Sequence, residues 1–439
     1  MQRLKCNFLA LLFAALPPTL LLPKGAAAQD KPITVVAVPP LATPENVSTS
    51  AGDTGLIARY VADVITSDLR SSRELFPIGP EKARIYSYPE ATAPSFTQWR
   101  TTGAKALVTG FVQARVDGRL TVACYLHDIP GGREIARKGF VVTPGEWRRA
   151  AHRCSDAVYA QLTGRPGSFD TQIAYVAESG SKNARVKRIA LMDSDGTSHR
   201  YLTAGDNTVL TPRLSPGGDR IAYVSYAGGQ SQVRLVDLAS NEDQPLLPGT
   251  AMSFAPRFSP DGKSVLFAMA EGGNTDIYSA NVDGSALQRL TTAPGIDTAP
   301  DYSPDGSKIV FESDRSGTEQ LYVMDADGSV PRRISFGGAR YASPGWSPDG
   351  ALIAFARVAG DGLRIGVISP SGTGERILTT GPQDEGPSWS ASGRDLLFQR
   401  SDAYGRTGLV VVSVDGGAPR AIAIPQDGSD PDWSTGGAK

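Results

Sequence analysis

The chain has 439 residues, of which 48 are Gly and 32 Pro, about 18 percent together where globular chains average about 12 percent. Lys+Arg and Asp+Glu nearly cancel, 44 against 45, and apolar residues make up 40 percent. This excludes a disordered chain and a basic nucleic-acid binder, three Cys exclude a disulfide scaffold, and the surplus of turn formers points to many short strands.

Residues 1–28 place Arg3 and Lys5 before an apolar run from Phe8 to Leu22 and end in three alanines. This is the layout of a secretory signal peptide, with cleavage expected after Ala28. The leader carries three basic residues and no acid, so 41 basic residues would face 45 acidic ones, a mature charge of −4. No second apolar run is long enough to span a bilayer, so a soluble, exported chain is expected.

Residues 29–164 read as an α/β domain. Ile33–Val38 has strand composition and stops at Pro39. Ile57, Tyr60, Val61, Val64, Ile65 and Leu69 line one face of a helix over 54–69. Residues 106–112, 120–126 and 135–142 read as strands, and 145–162 as a second amphipathic helix. Arg148, Arg149 and Arg153 form the polar face of that helix and are expected to be solvated; docking on an acidic partner is the alternative. Cys124 and Cys154 read as two small buried side chains, with pairing open in an oxidising compartment. Arg165–Ser168 reads as a short, stiff hinge.

From residue 165 to 439 the chain repeats. Pro212, Pro256, Pro300, Pro344, Pro387 and Pro431 each open a Pro-x-(Leu or aromatic)-Ser motif, at spacings of 44, 44, 44, 43 and 44 residues. A period in the forties with strand and turn signals denotes propeller blades. Each unit holds a Ser-Pro-Asp-Gly-like turn, two apolar strands and a second Asp-Gly turn. Ile173–Val176 opens as a second strand without a motif before it, and Pro431–Ser434 is a motif without a second strand after it. The expected fold is therefore an α/β domain followed by an all-β six-bladed propeller, its C-terminal strand closing the first blade. Phe258, Tyr302, Trp346, Trp389 and Trp433 are expected to pack between blades. The recurring Asp residues read as turn formers rather than calcium ligands.

Little here suggests catalysis. The three His have no partner at metal-ligand spacing, and no nucleophile elbow, phosphate loop or dinucleotide fingerprint occurs. A non-enzyme without metal or cofactor is expected. Loops preceding the motif prolines vary from blade to blade and share one face, where binding is expected.

The stretches 150–163, Phe169–Val176, Phe254–Gly262, Gly273–Tyr278, Phe311–Arg315 and Asp430–Ser434 resemble the TolB family, periplasmic proteins of the Tol-Pal system. The resemblance runs nearly end to end. It implies a non-enzymatic scaffold that binds the peptidoglycan-associated lipoprotein Pal by the propeller and TolA by the mature N-terminus. It further implies roles in outer-membrane integrity and in invagination at cell division, and exploitation by bacteriocins. Neither nucleic acid nor a membrane span is implied, and a monomer is expected. Pal contacts before the motif prolines map here to Met252, Ala255 and Thr298; Met252 departs from the His of enterobacterial members. Asp297, Arg340, Tyr341 and Glu385 follow from their place on the same face. TolA contact maps to Gln29, Asp30, Lys31, Pro32 and Ile33. The alternative is an envelope propeller that binds or hydrolyses glycans.

Overall fold

The computed structural model describes residues 34–79, 86–181, 184–249, 252–360 and 362–434. The expected leader and the segment Gln29–Ile33 lie outside them.

The N-terminal domain is built on one five-stranded sheet. Its order is Leu75–Ile78, Thr34–Ala37, Ala106–Ala114, Leu120–Asp128 and Arg133–Val142. The first three strands are parallel and the rest antiparallel. Helices α1 (Thr54–Ser71), α2 (Tyr88–Thr92), α3 (Thr97–Arg100) and α4 (Trp147–Thr163) cover it. The apolar stripe of α1 packs with Val158 of α4 over one face, burying Ile57, Val61, Ile65 and Leu69. Ala91 of α2 and Trp99 of α3 close the other face over Leu107 and Phe111. Leu75–Ile78 escapes the sequence reading because Pro77 argues against a strand. It is tolerated because this strand is the sheet's edge.

Cys124 and Cys154 are bonded, with Cα atoms 6.0 Å apart. Both are buried as expected, and the pairing that the sequence left open is made. The bond ties the strand Leu120–Asp128 to α4 across 30 residues of chain.

The propeller has six blades of four antiparallel strands. Five are made of consecutive strands, beginning at Thr208, Met252, Asp297, Arg340 and Asp384. The first blade has the order Asp427–Trp433, Gln172–Ser179, Val186–Asp193, Arg200–Tyr201, so its innermost strand is the last of the chain. Trp433 seals this junction: its indole N–H donates to the Thr171 hydroxyl at 2.9 Å, and its ring packs with Ile173, Tyr175 and Val411. Phe258, Trp346 and Trp389 are buried at the same place in their blades, and Tyr302 is half-buried.

The Asp residues of the repeat act as turn formers. In the third blade the Ser259 hydroxyl donates to Asp261 at 2.6 Å and accepts the Ser264 N–H at 3.0 Å; Gly262 supplies the positive φ. The fourth and fifth blades repeat the arrangement at Ser303 and Ser347.

One feature of the innermost strands is absent from the sequence reading. Each carries a β-bulge just before its motif proline. The bulged residues Thr211, Ala255, Ala299, Ser343, Gly386 and Asp430 all have positive φ, between 47° and 62°. Five of the six carry a side chain, in a conformation costing about 1–2 kcal/mol each. The cause is the proline itself, which cannot donate to the ladder and is admitted at a bulge. Beyond the bulge, Arg213, Arg257, Asp301, Gly345, Ser388 and Asp432 ring the channel. Arg257 crosses it, 3.4 Å from Asp301 and 3.7 Å from Asp432.

The basic face of α4 is not solvated. Arg149 and Arg153 pair with Asp170 at 3.1 and 2.8 Å, and Arg148 pairs with Asp195 of the first blade. His152, wholly buried beside them, is 2.8 Å from Asp68 of α1. On the other side of the interface, Glu74 joins Arg394 of the sixth blade, Arg165 and the Tyr159 hydroxyl. The connection at 165–168 is stapled as well. The Asp156 carboxylate accepts the Phe169 and Asp170 N–H groups at 2.8 and 3.1 Å, and a Cβ on Gly167 would lie 2.2 Å from an Asp156 oxygen.

Trp433→Ala is expected to cost about 3–5 kcal/mol, read as a lower urea midpoint. Phe336→Ala, on an exposed ring, is expected to leave that midpoint nearly unchanged.

Candidate partner-binding face

The strand registers fix which loops share a face. Met252 pairs with Ala270, Arg340 with Val358 and Asp384 with Arg400, so each innermost strand starts beside the hairpin between its second and third strands. These loops form one face. The Ser-Pro-Asp-Gly and Asp-Gly turns form the other, and there the N-terminal domain sits against blades one and six through Asp195 and Arg394. The first face, the channel mouth, is left open.

The seven expected propeller residues all fall on the mouth, in different states. Met252 and Arg340 are exposed; Arg340 pairs with Glu319 at 3.2 Å. Thr298 and Glu385 are half-buried, and Ala255 is the bulged residue of its blade. Asp297 and Tyr341 are buried. Asp297 accepts from Arg315 at 2.7 Å, while its second oxygen has no partner among the described residues. Tyr341 is 2% exposed, its hydroxyl donating to Glu375 at 3.0 Å and its ring edge-on to Phe355. These two shape the loops rather than present a surface.

Sequence reasoning passed over the residues that do present one. Ile296 is 52% exposed, Phe336 62% and Tyr404 87%, and Tyr226 stands out beside them. With Met252 they form an apolar set spread over the loops of several blades. The available signal was an apolar side chain inside a polar loop, as with Tyr404 between Asp402 and Arg406.

Carboxyls lie among these apolar groups. Glu312 accepts the Ser343 N–H at 3.3 Å. Burial pushes its pKa up to about 7, with Glu319 and Asp314 adding in the same direction. Burial raises Glu385 and Asp430 too, and the charge of Asp430 adds to the rise at Glu385. Among the described residues no group of three or more His, Cys, Asp or Glu is arranged to hold a metal.

The raised Glu312 value has a definite sign. Its folded pKa lies above the unfolded one, so its contribution to stability is complete below about pH 4.5 and is lost as pH rises through about 7. Glu312→Gln keeps the acceptor and removes the titration. The variant is expected to gain on the wild type between pH 5 and pH 8, by at most about 3 kcal/mol, measured by urea unfolding at both values.

Residues 159–436 match the model of the TolB β-propeller domain, and residues 29–135 that of the TolB amino-terminal domain. The Tol-Pal system protein TolB of Zymomonas mobilis is 60% identical over 410 residues, 93% of this chain and 89% of that one. Its counterpart in Rhizorhabdus wittichii is 57% identical, over 93% of this chain and 92% of that one. The crystal structure of TolB from Acinetobacter baumannii superimposes with a TM-score of 0.76 at 27% identity, covering 92% of this chain and 97% of that one.

Proposed function

The chain belongs to the TolB family, and from that premise we propose that it is a non-enzymatic scaffold of the Tol-Pal system, working in the periplasm. The propeller mouth binds the lipoprotein Pal, and the mature N-terminus, Gln29–Ile33, binds TolA. Through these contacts the protein supports outer-membrane integrity and invagination during division.

The observation that carries this reading is the asymmetry of the two propeller faces. One is covered by the chain's own N-terminal domain through charged pairs. The other displays Met252, Ile296, Phe336 and Tyr404 to solvent. Apolar side chains held on rigid blades lose little entropy on binding, and a central apolar cluster is where interface energy concentrates. Thr298, Ala255 and Glu385 lie on the same face, while Asp297 and Tyr341 hold the loops in shape. The charge of −4 expected for the mature chain fits a partner recognised by shape more than by long-range attraction.

The test is calorimetric titration with the periplasmic domain of Pal. Ile296→Glu and Phe336→Glu are expected to weaken binding by about 2 kcal/mol or more each. Val330→Glu, exposed on the other face, is expected to leave it unchanged. Full affinity in both mouth variants would refute the assignment of the face.

A further inference from the structure

The seam between the domains holds a cavity of about 450 Å3, between the end of α1 and the sixth blade. Two arginines line it from opposite sides: Arg73, just past α1, and Arg420, in the outermost strand Arg420–Ala421. Neither forms an ion pair among the described residues. Arg73 reaches only the Ala418 carbonyl, at 3.4 Å. Arg420 is half-buried, and its side chain makes no hydrogen bond among those residues. Burial lowers the pKa of its guanidinium; Asp395 opposes this and the charge of Arg73 adds to it. Arg420 is thus partly withdrawn from water, with no side-chain partner among the described residues.

The surrounding charges leave this pair uncompensated. Arg394 also lines the cavity, but Glu74 and Asp415 take it. At the far end Asp68 is held by His152 and Asp195 by Arg148. Among the described residues lining the cavity, Asp395 is the remaining carboxylate facing Arg73 and Arg420, and it forms an ion pair with neither. Burial raises its pKa despite Arg420, Arg394 and Arg73 nearby. The rest of the wall is rich in hydroxyls, including Ser72, Ser168 and Ser413. Arg73 itself has φ 58°, at a helix-end position that glycine fills without strain.

We infer that this cavity is a binding site for a small tetrahedral oxyanion, either inorganic phosphate or a phosphomonoester, clamped between Arg73 and Arg420. Guanidinium groups approaching from two domains, with hydroxyl donors around them, suit an acceptor with oxygens on all sides better than a planar carboxylate. The volume exceeds a bare phosphate and leaves room for a short ester group. Because Arg73 belongs to one domain and Arg420 to the other, the bound anion holds the two together and stabilises the docked arrangement by mass action. This site is independent of the mouth face and of any partner bound there.

The experiment is calorimetry on the mature chain with inorganic phosphate and with glycerol 3-phosphate, at constant ionic strength, with sodium chloride as the control. One saturable site is expected, with a rise in melting temperature. Arg73→Gln and Arg420→Gln are each expected to weaken it about tenfold or more. Arg73 is exposed, so its variant tests the site without touching the blade core; phosphorus NMR line-broadening of the ligand against wild type needs no variant. Binding of phosphate alone identifies the free anion, and binding of both identifies the ester class; either supports the site. Heat that follows ionic strength only, or unchanged affinity in both variants, would overturn it.

Discussion

Ring closure is the constraint on which the rest of this structure depends. The strand Asp427–Trp433 lies beside Gln172–Ser179, about 250 residues earlier in the chain, and completes a blade that the intervening sequence leaves one strand short. An open array would expose an unpaired edge at each end. Closure removes both and sets each blade at a fixed angle to its neighbours. The bulges follow from the same packing. Six prolines sit in six innermost strands, and each ladder gives way by one residue to admit them. The residues beyond the bulge meet in the channel, where Arg257 links the third blade to the fourth and the first.

Closure also explains why the two faces differ. The first blade is the junction of both chain ends, and the N-terminal domain emerges beside it. Its helix α4 lays Arg148, Arg149 and Arg153 on Asp195 and Asp170, while Glu74 takes Arg394 of the last blade. Such pairs add little where they are exposed. Here they are partly buried, joined by His152 and by the stapled connection at Asp156, so together they set orientation. One face is thereby occupied and the other left to partners.

Much of this was legible in the residues. The 44-residue period, the offset between the first Ile173 strand and the last Trp433 motif, and the apolar stripes of both long helices specify the propeller, its closure and the sheet-and-helix domain. What was not legible depends on proximity in space. That Arg148, Arg149 and Arg153 face the chain's own acids cannot be read from a helical wheel, which shows only that they are polar. The Cys124–Cys154 bond needed the packing of α4 against its strand. Of the mouth residues, the family resemblance gave Met252 and loop position gave Arg340, but neither gave Phe336 or Tyr404. Loop position also selected Tyr341 and Asp297, which the fold turns inward, because a strand's first residues alternate between faces. Arg73 and Arg420 lie nearly 350 positions apart, and nothing in either neighbourhood announces the cavity between them.

Native-state hydrogen exchange across the closing ladder tests the central claim most directly. The amides of Val176 and Ala177, and those of their partners Ser429 and Gly428, are to be followed at rising urea. If closure fixes the ring, the closing strand shares the global opening free energy of the central strands in blades three and four, with the same urea dependence. A closing strand that exchanges through low-energy, urea-independent fraying, while the other blades stay protected, would contradict the account.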